Sequence, residues 1–209
     1  MKKLEIHIIT DGKQPVGELT KRILMIHEEA DYIHIREKKK SASEIMEIVS
    51  ILISNGVSKS KLVINDRLDV ALVNQLPNIH LPGHSFSVGK VRELEPSLRI
   101  GRSVHSLSEA LESEKDGADY LLFGHVFETN SKANLTPRGI KQLAEICQSV
   151  QIPVIAIGGI VPNTISKLPG VNVSGIAVMS YVIASEDPHH ALLEIKDSLS
   201  KGGFDEKTF

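Results

Sequence analysis

The sequence predicts an α/β fold, a single compact (β/α)8 TIM barrel, on three observations. Eight short apolar runs recur along the chain, segments with helical periodicity lie between them, and 209 residues with 41% apolar content suffice for one core. Strands that alternate with helices predict a parallel sheet, and eight such units close it into a barrel. A flavodoxin-like open sheet is the alternative, but that fold usually has only about five units.

Each predicted strand is an apolar run that ends in polar residues or glycine. The runs are 5–10, 32–37, 61–66, 78–83, 99–104, 120–129, 153–159 and 175–180. Alternation along three of them places Arg36, Asn65 and His80 opposite the aliphatic side chains. Because the aliphatic face should pack on the helices, these polar residues are expected inside the barrel and indicate a lined site. His7 and His34 lie deeper in their strands and are interpreted as interior histidines with satisfied hydrogen bonds.

Four segments between the strands carry apolar residues three and four positions apart, which predicts amphipathic helices. These residues are Leu19, Ile23, Ile26 and Ala30; Ile45, Ile48, Val49 and Leu52; Leu107, Ala110 and Leu111; and Ile140, Leu143, Ile146 and Val150. Ser106 and Glu109 form a capping-box pattern, and Gly117 is expected to end the same helix. Only short helices fit after the fourth and seventh strands. The barrel domain is assigned to residues 1–200 and a polar C-terminal tail to residues 201–209.

Composition limits the classes of partner. With 24 basic and 26 acidic residues, the net charge of -2 gives no electrostatic footprint for nucleic acid or an anionic membrane. The basic run 38–40 is interpreted as a solvated loop, and the single Cys147 as a packing residue. No run approaches the ~20 apolar residues of a membrane span. A reduced, cytoplasmic setting is therefore predicted, with no nucleic-acid or membrane partner.

The strongest functional signal is His125, at the point where the sixth strand becomes a loop. In parallel barrels, catalytic groups lie at the carboxyl ends of the strands. The seventh and eighth strands add Gly158, Gly159, Met179 and Ser180 at the corresponding positions. Glycine lets backbone N–H groups approach an anion closely, and such barrels often bind phosphate with these two loops. A phosphate site is therefore predicted there.

Five segments, in this order and spacing, resemble thiamine phosphate synthase and its TenI-type relatives. They are 64–69, 100–105, 117–120, 129–132 and the strand that contains Gly158 and Gly159. The resemblance extends from the first strand to about Ser185. It implies a barrel that binds a thiazole phosphate and, in the synthase branch, a pyrimidine pyrophosphate with magnesium.

Three departures from the synthase pattern favour the TenI-type branch. Ser85 stands where the synthases have a magnesium-binding carboxylate, which leaves Asp66 poorly able to hold the ion alone. The second strand keeps Arg36 but places Glu37 beside it, which argues against a pyrophosphate site. The glycine-proline that follows strand six in the synthases is glycine-histidine here, and the resemblance implies that His125 is an acid–base residue.

The resemblance thus implies a thiazole tautomerase of thiamine biosynthesis. It would aromatise a carboxy-thiazole ylidene ethyl phosphate tautomer to the carboxythiazole phosphate by His125-mediated proton transfer, with no metal or other cofactor. The phosphate is assigned to Gly158, Gly159, Met179 and Ser180, with Thr129, Ser131 and Lys132 nearby, and the ring and carboxylate to Arg36, Asn65 and Ser103. The structural alternatives are an ion pair of Arg36 with Asp66 or Glu37, a backbone hydrogen bond for His125, and simple solvation of Lys132.

Three other functions stay open. A thiamine phosphate synthase with altered metal ligation would need magnesium and a pyrimidine pyrophosphate, and Ser85 argues against it. A non-catalytic regulator that binds a thiazole phosphate is the second, although no DNA-reading helix or basic face supports direct nucleic-acid binding. An unrelated phosphate-binding barrel enzyme is the third, and the motif order argues against it. A homo-oligomer is compatible with the sequence.

Overall fold

A computed structural model describes residues 4–129 and 135–202. Within them, eight parallel strands pair in sequential order, and the eighth pairs with the first to close a barrel. The strands are β1 (Glu5–Ile9), β2 (Tyr32–Ile35), β3 (Leu62–Asn65), β4 (Asn78–Leu81), β5 (Arg99–Val104), β6 (Tyr120–Gly124), β7 (Val154–Ile157) and β8 (Gly175–Val178). The predicted barrel is confirmed.

Helices follow the strands and surround the barrel. They are α1 (Val16–Ile26), α2 (Ala42–Ser54), α3 (Leu68–Val73), α4 (Val88–Leu94), α5 (Leu107–Lys115), α6 (Gly139–Ser149), α7 (Pro162–Ile165), α8 (Ser180–Ile183) and α9 (Pro188–Lys201), with a 3₁₀ turn at Lys59–Lys61 before β3. The helices after β4 and β7 are short, as predicted, with 7 and 4 residues. Helix α9 includes Lys201, which the sequence analysis assigned to the tail. Among the described residues, no helix has the length and apolar character needed to cross a bilayer.

The helix faces match the periodicity, with one exception. All four apolar residues predicted for α2 are buried: Ile45, Ile48, Val49 and Leu52. In α5 the prediction for Leu111 is wrong, because its side chain is 44% exposed. The buried residues of that helix are Ala110 and Ser113, three positions apart, and Leu111 is turned about 100° away from Ala110.

The start of α5 differs from a capping box by one residue. The Ser106 hydroxyl accepts from the backbone N–H of Glu109, as predicted. The Glu109 carboxylate, however, accepts from the backbone N–H of His105 at 2.6 Å. Gly117 follows the helix with φ of +92°, a conformation that favours glycine. This arrangement fixes the backbone at the carboxyl end of β5.

The strands pack aliphatic side chains on the outside and a mixture of aliphatic residues and rings inside. The outward residues of β2, β3 and β4 belong to the main hydrophobic core: Ile33, Ile35, Leu62, Ile64, Ile79 and Leu81. Inside, Tyr120, Leu122 and Ile155 form a separate cluster with Ile9 and Ala177. Burying each large aliphatic side chain contributes roughly 1.5–3 kcal/mol, so the outer core fixes which strand faces turn inward.

The lower part of the barrel interior is filled by rings, which we call the barrel floor: His7, His34, His80 and Tyr120. Their ring centroids lie 5.2 Å apart for His7 and His34, 5.4 Å for His34 and His80, and 5.9 Å for His80 and Tyr120. Gly101 makes room for the Tyr120 ring, because a Cβ there would lie 2.0 Å from Tyr120 Cζ. The floor closes the barrel from below.

The hydrogen bonds predicted for the two deep histidines are found for one of them. His7 uses both nitrogens, with Nδ1 2.9 Å from His34 Nε2 and Nε2 3.0 Å from Glu5 Oε2. His34 Nδ1 is buried and has no hydrogen-bond partner among the described residues. His34 is therefore only half satisfied.

Candidate active site

A cavity of about 740 Å³ opens at the carboxyl ends of the strands, above the barrel floor. Nine of the eleven predicted site residues line it: Arg36, Asn65, Ser103, His125, Thr129, Gly158, Gly159, Met179 and Ser180. Ser131 and Lys132 lie outside the described residues. The fold thus brings residues from six strand ends to one cavity, where parallel barrels hold their active sites.

Several residues of this cavity are not among the predicted site residues. Lys38, interpreted as part of a solvated loop, is exposed but also lines the cavity. It lies in a turn beyond the end of β2, where the alternation of strand faces no longer applies. His84 and Glu128 also line the cavity, and both lie in loops whose course the sequence pattern does not indicate.

Glycines in the loop after β7 make room for His125 and the loop that follows it. A Cβ at Gly158 would lie 2.2 Å from the Cβ of His125, and one at Gly159 would lie 2.3 Å from the backbone oxygen of Glu128. Both glycines have positive φ, at +99° and +66°. Their small size therefore has a packing reason that is independent of any bound anion.

The two nitrogens of His125 have different surroundings. The residue is 5% exposed, and Nε2 lies 3.1 Å from the carbonyl oxygen of Leu135. A carbonyl only accepts, so Nε2 carries a hydrogen and the lone pair of the neutral ring lies on Nδ1. Nδ1 is buried without a hydrogen-bond partner among the described residues. The predicted alternative, a backbone hydrogen bond, thus accounts for one nitrogen and leaves the other able to accept a proton.

A second histidine approaches the same strand end from β5. His105 Nδ1 lies 2.7 Å from the carbonyl oxygen of Gly124, and that carbonyl belongs to the peptide unit that precedes His125. Because a carbonyl oxygen only accepts, Nδ1 of His105 carries the hydrogen and is the donor. His105 also lines the cavity.

The pair of His80 and Ser103 does not form an activated nucleophile. His80 Nε2 lies 2.7 Å from Ser103 Oγ, a distance that a serine nucleophile and its base also show. Burial, however, lowers the pKa of His80 to about 3, with smaller contributions from the charges of His7, Arg102 and Arg36. His80 Nδ1 also has no partner among the described residues that would orient the ring. Ser103 is thus a polar group of the cavity wall rather than a nucleophile.

Arg36 supplies a cationic group to the opposite wall. Neither predicted ion pair is found, because Glu37 pairs with Lys40 at 2.7 Å and Asp66 lies 3.4 Å from His84. Burial lowers the pKa of the Arg36 guanidinium from its ordinary value, and the charges of Glu37 and Asp11 oppose this shift, so the group stays charged. Within the described part of the chain, Arg36 is left without a carboxylate in ion-pair distance. It is able to bind an anionic ligand in the cavity.

The residues present do not fit the magnesium site of the synthase branch. The Asp66 carboxylate lies 3.4 Å from Nε2 of the exposed His84, and the buried hydroxyl of Ser85 has no hydrogen-bond partner in residues 4–129 and 135–202. Over these residues, no group of three or more His, Cys, Asp or Glu side chains is arranged to hold a metal ion. Magnesium usually needs one or two carboxylates together with substrate phosphates. A single carboxylate is a poor ligand set for this ion.

Comparison with known proteins gives the family. The profile of the TMP-TENI family, described as thiamine monophosphate synthase, matches residues 6–182. The chain is 36% identical to the thiamine-phosphate synthase of Clostridium tetani over 197 residues, which cover 91% of this chain and 93% of that protein. It is 37% identical to the thiamine-phosphate synthase of Pyrococcus furiosus over 196 residues, covering 93% and 94% of the two chains.

A solved structure agrees with these matches. The thiamine phosphate pyrophosphorylase from Pyrococcus furiosus superimposes with a TM-score of 0.80 at 33% identity, covering 96% of this chain and 98% of the other. The predicted family is thus confirmed, although the names of these relatives favour the synthase, the alternative in the sequence analysis, over the tautomerase. The chain belongs to the TMP-TENI family of thiamine monophosphate synthases.

Proposed function

We propose that this member of the family is a thiazole tautomerase, an isomerase that transfers one proton within a phosphorylated carboxythiazole. The observation that carries the proposal is His125, whose Nε2 is hydrogen-bonded to the Leu135 carbonyl and whose Nδ1 is buried without a partner among the described residues. The relatives are named for a transferase reaction, so the support for an isomerase comes from the site residues alone.

The reaction needs one group that accepts and returns a proton. The proton leaves the ring carbon that bears the carboxylate, and a proton is then delivered to the exocyclic carbon, which makes the ring aromatic. An imidazole with a solution pKa near ~6.5 performs both steps near neutral pH. General acid–base catalysis of this kind contributes roughly 10²- to 10⁴-fold in rate.

We assign the two anionic groups of the substrate to different parts of the cavity wall. We assign the phosphate to the loops after β7 and β8, with Gly158, Gly159, Met179 and Ser180, and to Thr129, Ser131 and Lys132 of the chain segment that follows β6. We assign the carboxylate to Arg36, whose planar guanidinium matches a carboxylate through two hydrogen bonds, with Asn65 and Ser103 beside it. The reacting carbons are assigned to the part of the ligand that faces His125.

Thiamine-phosphate synthase is the second candidate. Identity of 36–37% over more than nine-tenths of the chain to proteins that carry this name favours it. This reaction transfers a pyrimidine from its pyrophosphate to the thiazole phosphate and, in the synthase branch, uses magnesium. Ser85, the pair of Asp66 with His84, and His125 are the features that oppose it.

Two assays on the same preparation of the protein distinguish the candidate functions. Aromatisation of the thiazole tautomer is followed by ultraviolet absorbance with EDTA present, and condensation of the thiazole phosphate with the pyrimidine pyrophosphate is followed with magnesium present. The proposal expects acceleration of the first reaction, insensitive to EDTA, and none of the second. Magnesium-dependent condensation without aromatisation would establish the synthase instead. Binding of the phosphorylated thiazole without either reaction would establish a ligand-binding regulator.

A further inference from the structure

We propose that His105 is a positioning residue that holds the peptide before His125 and so fixes the place of the His125 ring in the cavity wall. The inference rests on the proposed function and concerns a second histidine of the same cavity. Its main observation is the 2.7 Å distance from His105 Nδ1 to the Gly124 carbonyl oxygen, in which the ring N–H donates.

This hydrogen bond replaces a missing step of the β5–β6 ladder. The register pairs Val104, the last residue of β5, with Phe123, so strand β5 ends one residue before Gly124 would find a partner. The carbonyl of Gly124 is met instead by the side chain of His105, the residue that follows β5. The imidazole N–H therefore donates to this carbonyl in place of the backbone N–H that would donate within the strand ladder.

His105 is itself anchored at the backbone. Its N–H donates to the Glu109 carboxylate at 2.6 Å, and the Ser106 hydroxyl caps α5 beside it. The first turn of α5 thus fixes the position from which the His105 ring reaches Gly124. A side chain with an anchored backbone loses less conformational entropy when it forms a hydrogen bond.

On its other side, His125 is held by β7 and by the following loop. Val126 donates its N–H to the Ile157 carbonyl at 2.9 Å, and Phe127 donates to Gly158 at 3.0 Å. The His125 carbonyl accepts from the N–H of Arg138 at 3.0 Å. These three hydrogen bonds involve backbone groups of His125, Val126 and Phe127. His105, in contrast, is hydrogen-bonded to the carbonyl of Gly124, in the peptide unit just before His125. Loss of that bond removes the support of this peptide on the β5 side, and a displacement of about 1 Å in an active site can cost about 100-fold in rate.

Two variants separate positioning from direct chemistry. In His105→Asn, the side-chain amide places an N–H where His105 Nδ1 is, while His105→Leu has a similar size and no donor. We expect the kcat of the Asn variant for aromatisation to stay within about threefold of wild type and that of the Leu variant to fall about tenfold or more. KM and the dissociation constant of the aromatic product should change less than about threefold in both, which also reports that the cavity is folded.

The opposite pattern overturns the inference. If the Asn variant loses as much kcat as the Leu variant, an ionisable ring at position 105 is required and His105 is a catalytic residue. If both variants turn over at the wild-type rate, the hydrogen bond to Gly124 has no role in catalysis.

A measurement without turnover keeps this test separate from the proposed function. Two-bond ¹H–¹⁵N correlations of the His125 ring report which nitrogen carries the proton. We expect the Nε2–H tautomer in wild type and in the Asn variant, and shifted His125 ring signals in the Leu variant. Unchanged His125 signals in the Leu variant would overturn the positioning role even for a protein that catalyses no aromatisation.

Discussion

The barrel floor and the cavity above it are both rich in histidine, but their rings are held in different ways. On the floor, His7 and His34 bond to each other and burial lowers the pKa of both, as it does for His80. In the cavity, His125 bonds to a backbone carbonyl through one nitrogen and leaves the other unpaired among the described residues. His7 and His34 therefore act as neutral packing residues, whereas His125 lines the cavity with one nitrogen left unpaired among the described residues.

The contrast is tested most strongly by exchanging each kind of histidine for glutamine. In His125→Gln the side-chain amide can still donate to the Leu135 carbonyl, but no group at the position of Nδ1 cycles a proton near pH 7. We expect kcat for aromatisation to fall about 100-fold or more, with product binding within several-fold of wild type.

The matched control for this variant is His34→Gln, on the floor. It should lower the melting temperature and leave kcat of the folded protein within several-fold of wild type. If His34→Gln abolishes kcat while His125→Gln retains it, the roles assigned to the two regions are reversed.

Arg36 tests whether the cavity recognises a carboxylate on the wall away from His125. In Arg36→Met the charged hydrogen bonds are lost, and such bonds are worth roughly 1.5–3 kcal/mol each. We expect the dissociation constant of the carboxythiazole phosphate to rise about 10- to 100-fold by calorimetry. Thiazole phosphate without the carboxylate should bind the variant and the wild type within about threefold, and an equal loss for both ligands would assign Arg36 to the phosphate.

Ser180 tests the phosphate wall with two variants of the same shape. Ser180→Asp places a negative charge at the start of α8, where two like charges about 4 Å apart repel by about 1–4 kcal/mol, depending on exposure to water. We expect at least about tenfold weaker binding of the phosphorylated thiazole, while Ser180→Asn stays within a few-fold. Equal affinities would move the phosphate away from β8. Gly159 is a poorer site for this test, because any side chain there would approach the backbone oxygen of Glu128.

The sequence predicted the barrel because its information is local. Apolar runs and helical spacing are set by neighbours within one element, and all eight strands and the buried face of α2 lie where the pattern placed them. Leu111 was mispredicted because a short helix has room for one buried face, and packing against the barrel selected Ala110 and Ser113.

The site was predicted as a set of residues but not as an arrangement. Strand ends in a parallel barrel converge, so naming Arg36, Asn65 and Ser103 required only the strand assignment. The tautomer of His125 depends on the carbonyl of Leu135, ten residues away in a loop, and no periodicity encodes it. Gly158 shows a second reason why the arrangement could not be predicted. Close contact with the His125 side chain and close approach to a phosphate both require a glycine, so the residue type alone does not distinguish them.

The smallest expected effect is on the stability of the folded protein at acidic pH, and it involves the barrel floor alone. In the unfolded chain a histidine titrates near pH ~6.5, but burial keeps the pKa of His34 well below this, and that of His80 at about 3. Below pH ~6.5 the unfolded state thus binds protons that the folded state does not, so stability is full above that pH and falls as the pH drops towards the folded pKa values. Each such histidine contributes at most about 1.4 kcal/mol per pH unit to this loss.

Between pH 7 and 4.5 the melting temperature of His34→Gln should therefore fall by a few degrees less than that of wild type, whereas His189→Gln, at an exposed position, should follow wild type. If His34→Gln loses stability as steeply as wild type, His34 takes up its proton without unfolding, and the floor differs less from the cavity than its burial indicates.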